Sequence, residues 1–182
     1  MDTDDRQIIA DLRLDNKKDL AFHMLVKKYQ ERLYWQIRKI VMNHEDADDV
    51  LQNTFIKVWK SIDKFREESS LYTWLYRIAT NESLTFLNSN RRRSFMPIND
   101  VSDYLMKNLM SDPYFEGDYI QLKLQKAILK LPDKQRTVFN MKYFDEMKYE
   151  DMSKILDTSV GALKASYHHA AKKIEEYLKN TD

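Results

Sequence analysis

Apolar residues recur at helical spacing throughout the first half of the chain. One series steps by three and four and predicts a long amphipathic helix: Phe22, Leu25, Val26, Tyr29, Leu33, Ile37, Ile40 and Val41. A second helix is predicted over Val50, Leu51, Phe55, Val58, Trp59 and Ile62. A third opens with Leu71, Trp74, Leu75, Ile78 and Ala79, with Ser69 or Ser70 as its N-cap. Together with a shorter helix near residues 5–13, these elements predict a compact helical bundle.

The periodicity breaks over residues 94–118, which contain three of the five Gly and Pro residues of the chain. The segment is acidic, with Lys107 as its single base, and this composition is typical of a linker. Its apolar content is high for an inert tether: Tyr104, Met106, Leu109, Met110, Tyr114 and Phe115. We therefore expect part of the segment either to dock on a partner or to form a short helix.

Helical patterning resumes near Tyr119. One helix is expected to stop at Leu131-Pro132, and Pro132 suits the first turn of the next helix. A short helix over 149–156, a turn at Asp157-Thr158-Ser159 and a long helix from Val160 then have helix-turn-helix proportions. In that motif the second helix enters the DNA major groove. Its predicted reading surface is polar and basic: Ser159, Lys164, Ser166, His168, His169, Lys172 and Lys173. A solvated basic face on an ordinary helical hairpin is the alternative.

Composition narrows the fold and the chemistry. Two Gly, three Pro and no Cys among 182 residues disfavour sheet folds with many turns and exclude disulfides and thiolate sites. No dense metal-ligand spacing and no Gly-rich phosphate loop are found, so the sequence predicts neither an enzyme, a cofactor nor a small-molecule substrate. An acidic start and the lack of a long apolar run predict a cytoplasmic protein. The helical spacing and the few Gly and Pro residues predict an all-α fold.

Both halves resemble the bacterial RNA polymerase sigma factors. The stretches 131–139, 149–152 and 159–164 resemble region 4, the stretch 46–59 resembles the core-binding helix of region 2, and 72–81 resembles its promoter-melting segment. Two domains without a middle one are similar to the extracytoplasmic-function (ECF) subfamily. The resemblance implies a region 2 domain at 1–93, an acidic linker at 94–118 and a region 4 domain at 119–182.

The resemblance also implies a polymerase-binding surface on the second long helix. It would bind the β′ clamp helices of core polymerase through Asp46, Asp49, Gln52, Phe55 and Trp59. The residue types suit this role, because an acidic face around aromatic anchors can pair with a basic partner helix. Core packing of Phe55 and Trp59, and a solvated helix N-terminus for the acids, remain open alternatives.

The third helix carries the residues expected to contact melted −10 DNA. Asn81 matches the position at which the family captures a flipped base, and an amide suits a Watson–Crick edge. The other candidates offer rings for stacking and guanidinium groups for phosphates: Tyr72, Trp74, Arg77, Arg91, Arg92 and Arg93. Trp74 lies on the apolar stripe, so core packing is the favoured alternative for it.

The function implied is promoter-specific initiation with core RNA polymerase, including its β flap, on promoter DNA, under control of an anti-sigma factor. Where many relatives carry arginine, this chain has Ser166, His169 and Ala171, so a different −35 readout is expected. Two rival interpretations are a dimeric helix-turn-helix regulator that binds palindromic duplex DNA without polymerase, and a helical enzyme with a carboxylate metal site.

Overall fold

The structure is a computed structural model that describes residues 3–93, 100–110 and 119–180. Over those residues its regular elements are helical and none is a strand, which confirms the all-α prediction. The chain divides into two compact units, residues 1–90 and 91–182, and each is described by itself.

The first unit is built from four helices. They are α1 (Thr3–Leu12), α2 (Lys18–Val41), α3 (His44–Ser61) and α4 (Leu71–Arg93), with a 3₁₀ turn at Ile62–Lys64 after α3. Most of the predicted apolar stripe of α2 is buried, with Leu25, Leu33 and Ile37 fully inaccessible, while Phe22 and Val26 are half-buried. It packs against α1 and α3, so α2 is the central element of the unit.

Side-chain caps and one sharp bend set the limits of these helices. Met42 ends α2 in the left-handed conformation, at φ 59°. Asn43 then caps α3, its side-chain oxygen accepting from the Asp46 amide at 3.0 Å. Ser70 caps α4 by accepting from the Thr73 amide at 3.0 Å, which selects Ser70 over Ser69. These short polar contacts turn the chain from one long helix into the next.

A buried amide fixes α4 against α2. The Gln36 side chain donates to the Tyr76 carbonyl at 3.1 Å and to the Thr80 hydroxyl at 2.8 Å. Because Gln36 is 3% exposed, these bonds form where water cannot compete, and they orient α4 about its own axis.

The second unit contains α5 (Asp100–Met110), α6 (Tyr119–Leu129), α7 (Asp133–Tyr143), α8 (Tyr149–Leu156) and α9 (Val160–Asn180). Helix α5 confirms the short helix expected inside the linker. Pro132 is the N-cap of α7, one position before the predicted first turn. The core joins α6, α7 and α9 and is formed by Ala127, Ile128, Leu131, Phe139, Ala170 and Ile174.

A buried cation also anchors the start of α7. Arg136 is 3% exposed and donates to the Asp133 carboxylate at 2.7 Å. Burial lowers the pKa of Arg136, and the adjacent Asp133 charge opposes that shift. Among the helices of the described segments, none is long and apolar enough to cross a membrane.

Candidate functional site

Helix α3 presents an exposed ridge on the side opposite its buried residues. Ala47, Val50, Thr54 and Val58 face the core. At 100° per residue the opposite side carries Glu45, Asp49, Gln52 and Ile56, each of them exposed. The ridge is therefore acidic at its N-terminal end and apolar at Ile56, which is 50% exposed. Of the five predicted polymerase-binding residues, Asp49 and Gln52 lie on this ridge.

The two predicted aromatic anchors lie beside the ridge, in contact with α2. The Phe22 ring packs edge-on against Trp59 at 4.9 Å and against Phe55 at 6.4 Å. The Lys18 ammonium lies 5.2 Å from the Trp59 ring centre. Both anchors are half-buried, so each packs within the bundle and still presents part of its ring to solvent. Asp46 lies on the other flank of α3 and is also half-buried.

Helix α4 exposes a row of polar side chains along one face. Arg77 and Asn81 are one turn apart, and Thr85 and Asn88 continue the same row toward the C-terminal end of the helix. All four are exposed. Within the described part of the chain, no residue hydrogen-bonds the side-chain amide of Asn81. The row runs toward Arg91, Arg92 and Arg93, whose side chains lie outside the described residues. Donors and acceptors are thus aligned with a cation at the start of the row.

The two rings predicted to stack on DNA occupy different sides of α4. Trp74 lies two turns before Asn81 on the same face, half-buried and 5.1 Å from the Phe65 ring. Tyr72 lies on the opposite face, because nine residues separate it from Asn81 and rotate it by about 180°. Its ring stacks on Tyr29 at 5.9 Å. The structure therefore groups Trp74, but not Tyr72, with Arg77 and Asn81.

A cation also contacts the Tyr72 ring. The Arg32 guanidinium carbon lies 4.0 Å from the ring centre, while Tyr29 in turn donates to the Asp5 carboxylate at 2.6 Å. Tyr72 thus joins α4 to α2, and its position is explained by packing.

Helices α8 and α9 form the predicted helix-turn-helix. Asp157 ends α8 in the left-handed conformation at φ 49°, and its amide donates to the Ser153 carbonyl. Ser159 caps α9, its hydroxyl accepting from the Ala162 amide at 3.3 Å. The hydroxyl of Ser159 is therefore engaged in the cap, while the residue itself remains exposed at the N-terminal end of α9.

The other predicted reading residues fall into two rows on α9. Lys164, His168 and Lys172 follow one another at intervals of four and are all exposed. Ser166, His169 and Lys173 form the second row, and Lys173 donates to the Gln135 side chain of α7 at 3.0 Å. The first row faces away from the core residues Leu163, Ala170 and Ile174. It is the row best placed to meet a ligand.

Tyr149, at the start of α8, adds to the basic row. The ammonium groups of Lys142 and Lys164 lie 5.2 Å and 5.7 Å from its ring centre. Burial raises the pKa of the Tyr149 phenol, and the neighbouring Tyr167 adds to the shift. Two cations from α7 and α9 are thereby held at the first helix of the motif.

The sequence did not predict four residues that lie on the candidate surfaces: Ile56 on α3, Thr85 and Asn88 on α4, and Lys142 on α7. The first three share an exposed helical face with predicted residues, so extending the spacing by one or two turns finds them. Lys142 and Lys164 approach the same Tyr149 ring only because α7, α8 and α9 pack together, and no local spacing indicates this. Within the described ranges, no cluster of His, Asp and Glu side chains is arranged to hold a metal ion.

Both units match known protein families. Residues 25–93 match the model of sigma-70 region 2, and residues 121–174 match that of sigma-70 region 4. The RNA polymerase sigma-H factor of Pseudomonas aeruginosa is 30% identical over 96% of this chain and 93% of its own length. The ECF RNA polymerase sigma-E factor of Haemophilus influenzae is 29% identical over 96% of this chain and 95% of its own length.

Solved structures share the fold. CnrH, in complex with the cytosolic domain of CnrY, aligns with a TM-score of 0.69 and 22% identity over 98% of this chain and 99% of that one. The sigma factor RpoE of Bartonella quintana, in complex with the anti-sigma factor NepR, aligns with a TM-score of 0.66 and 21% identity over 88% and 98%.

Proposed function

Because this chain belongs to the ECF group of sigma-70-type RNA polymerase sigma factors, we propose that it binds core RNA polymerase and directs initiation at specific promoters. The first unit holds the enzyme and captures melted −10 DNA, and the second reads −35 duplex DNA. The chain contributes no catalytic step of its own, since the polymerase makes the RNA.

The exposed row on α4 is the observation that carries this proposal. Arg77, Asn81, Thr85 and Asn88 offer a cation, amides and a hydroxyl along one face, with Trp74 at its start. A single strand needs phosphate partners, a stacking ring and groups that read a base edge. The amide of Asn81 donates and accepts at once, so it suits an unpaired base. Arg91, Arg92 and Arg93 follow in the sequence at the end of the helix and are proposed as further phosphate contacts.

The helix-turn-helix supports −35 recognition. The row Lys164, His168 and Lys172 lies on the exposed side of α9, and Lys142 adds a charge next to Tyr149. Lysines of this kind contact phosphates and guanine edges in a major groove. Ser159, Ser166, His169 and Lys173 flank that row and contribute at its margins.

The α3 ridge supports binding to core polymerase. Asp49 and Gln52 present polar groups, and Ile56 presents an exposed apolar side chain between them and the half-buried rings of Phe55 and Trp59. A basic helix such as those of the β′ clamp complements that arrangement, with Asp46 at its edge. The β flap is the proposed partner of the second unit.

An anti-sigma factor is the proposed regulatory partner. Two proteins of the same fold are solved in complexes, the sigma factor RpoE with the anti-sigma factor NepR and CnrH with the cytosolic domain of CnrY. The acidic residues of the 94–118 linker carry a second proposal, that the linker imitates nucleic acid within a basic channel of polymerase.

Binding measurements on purified components test the proposed function. We expect the chain to bind core polymerase tightly and to bind duplex promoter DNA specifically only when assembled with it. A dimer that binds palindromic duplex DNA alone and ignores core polymerase would overturn the proposal in favour of a conventional regulator.

A further inference from the structure

The turn that precedes α4 is held by the segment between α1 and α2. Arg13 donates to the Glu67 carboxylate at 2.7 Å and to the Phe65 carbonyl at 3.4 Å. Lys18 pairs with Asp63 at 3.2 Å, at the 3₁₀ turn just before. Residues 13 and 18 lie outside the range 25–93 that matches the family model. The turn before α4 therefore has contacts from residues that this match does not include.

The turn itself adopts an uncommon backbone conformation. Glu67 has φ 58°, in the left-handed region that residues other than glycine seldom occupy. Such a conformation persists where surrounding contacts hold it. Arg13 supplies such contacts, because its guanidinium binds both the side chain of Glu67 and the backbone two residues earlier.

This turn leads directly to the exposed row on α4. Phe65 is 5% exposed and its ring lies 5.1 Å from that of Trp74. Trp74 shares its face of α4 with Arg77 and Asn81. A displacement of the Phe65 backbone therefore moves the support of the ring at the start of the row.

We propose that Arg13 is a positioning residue for capture of the melted strand, acting through Phe65 and Glu67 on Trp74. This inference rests on the proposed function of the α4 row. Arg13 itself does not touch the strand. It fixes the turn so that Trp74 and the row beyond it are in place before DNA arrives, and the capture site then costs less to order on binding.

The ion pair is too exposed for its loss to unfold the unit. The side chains of Arg13 and Glu67 are 55% and 37% exposed, and pairs of this kind contribute little to stability. An effect on strand capture is therefore separable from an effect on folding. Lys17 provides a matched control, because it lies in the same segment, is 52% exposed and pairs with Asp11 rather than with the turn.

The experiment compares holoenzymes assembled with wild-type protein, Arg13→Ala, Glu67→Ala, the double variant and Lys17→Ala. The probe is a forked DNA with a duplex −35 region and a single-stranded −10 region, taken from a promoter that the wild-type holoenzyme transcribes. Arg13→Ala and Glu67→Ala should each weaken fork binding by up to about fivefold, the most that loss of such a pair explains. The double variant should lose no more than Arg13→Ala alone, because that substitution already removes the contacts to both Glu67 and Phe65. Lys17→Ala should bind as wild type does. Affinity for core polymerase and the melting temperature should stay unchanged.

Three results would overturn the inference and leave the proposed function standing: wild-type fork binding by Arg13→Ala, an equal loss in Lys17→Ala, or additive losses in the double variant. Arg13→Lys guards against a general folding defect, because it retains a cation that can donate to both partners, and it should keep part of the affinity that Arg13→Ala loses. A loss in Arg13→Lys equal to that in Arg13→Ala would be a fourth result that overturns the inference. A wild-type protein that yields no promoter-specific transcript would instead overturn the proposed function.

Discussion

Gly161, in the first turn of α9, shows how single residues set the local stability of the reading helix. A Cβ built at this position has no atom within 4 Å, so no packing requires a glycine there. Replacing Gly161 with Ala should stabilise the second unit by about 0.5 kcal/mol, because alanine loses less backbone entropy in a helix. Thermal unfolding measures the change. Ala162→Gly, at the exposed neighbouring position, should lower the midpoint. A shift of the same sign in both variants would contradict the explanation.

The buried guanidinium of Arg136 makes the carboxylate of Asp133 important for the stability of the second unit. Asp133→Ala removes the carboxylate at 2.7 Å and leaves a buried guanidinium with the Leu131 carbonyl at 3.5 Å. We expect a loss of about 2 kcal/mol in the free energy of unfolding, because an unpaired buried cation is costly. Denaturant titration is the measurement. Glu175→Ala, which breaks an exposed pair with Lys179, should leave the midpoint unchanged; a comparable loss there would show that burial is not the cause.

At the scale of the element, the two rows of α9 predict unequal effects of neighbouring lysines. Lys172 lies in the exposed row with Lys164 and His168, whereas Lys173 is bonded to Gln135. Lys172→Gln should weaken holoenzyme binding to −35 duplex DNA and reduce its salt dependence by about one unit of slope. Lys173→Gln should have the smaller effect. Fluorescence anisotropy at several salt concentrations measures both variants. A larger loss of affinity in Lys173→Gln would mean that DNA contacts the row of Ser166, His169 and Lys173 instead.

The α3 ridge predicts a charge-dependent interface. Asp49 is exposed at its centre, so Asp49→Lys should reduce affinity for core polymerase by about tenfold or more, through repulsion from a basic partner. Surface plasmon resonance against immobilised core polymerase tests this. Glu31→Lys makes the same change of charge at an exposed position of α2, outside the ridge, and serves as the control. If both variants bind equally well, the α3 ridge is not the site of contact.

Sequence periodicity predicted the helices because each buries one continuous stripe. The stripe of α2 and the helix-turn-helix turn at 157–159 followed from local spacing alone. What spacing did not reveal is how one helix is rotated against another. The buried amide of Gln36 orients α4 against α2, and the stacking of Tyr29 on Tyr72 shows which face of α4 packs on α2. The contact between Phe22 and Trp59 is likewise tertiary, and it explains why that anchor is only half-exposed.

At the scale of the whole molecule, the proposed function requires the predicted linker at 94–118 to let both units engage one promoter. Residues 94–118, fully extended, would reach about 80 Å. The −35 and −10 elements typical of the family lie about 17 base pairs apart, which is about 58 Å of duplex. Helix α5 belongs to the second unit, where Leu105 and Leu109 are buried, so its residues do not extend while that unit stays packed. A fully extended span of residues 94–118 would therefore require α5 to leave its packing and unwind.

The central claim is that this chain gives polymerase its promoter specificity, with Asn81 reading a melted base. The direct measurement is in vitro transcription of a genomic promoter library by core polymerase with wild-type protein or with Asn81→Ala. We predict discrete promoter-specific transcripts with wild-type protein, and a reduction of about tenfold with the variant at the same start sites, because one base-edge contact is lost. Absence of specific transcripts, together with no binding to core polymerase, would contradict the claim.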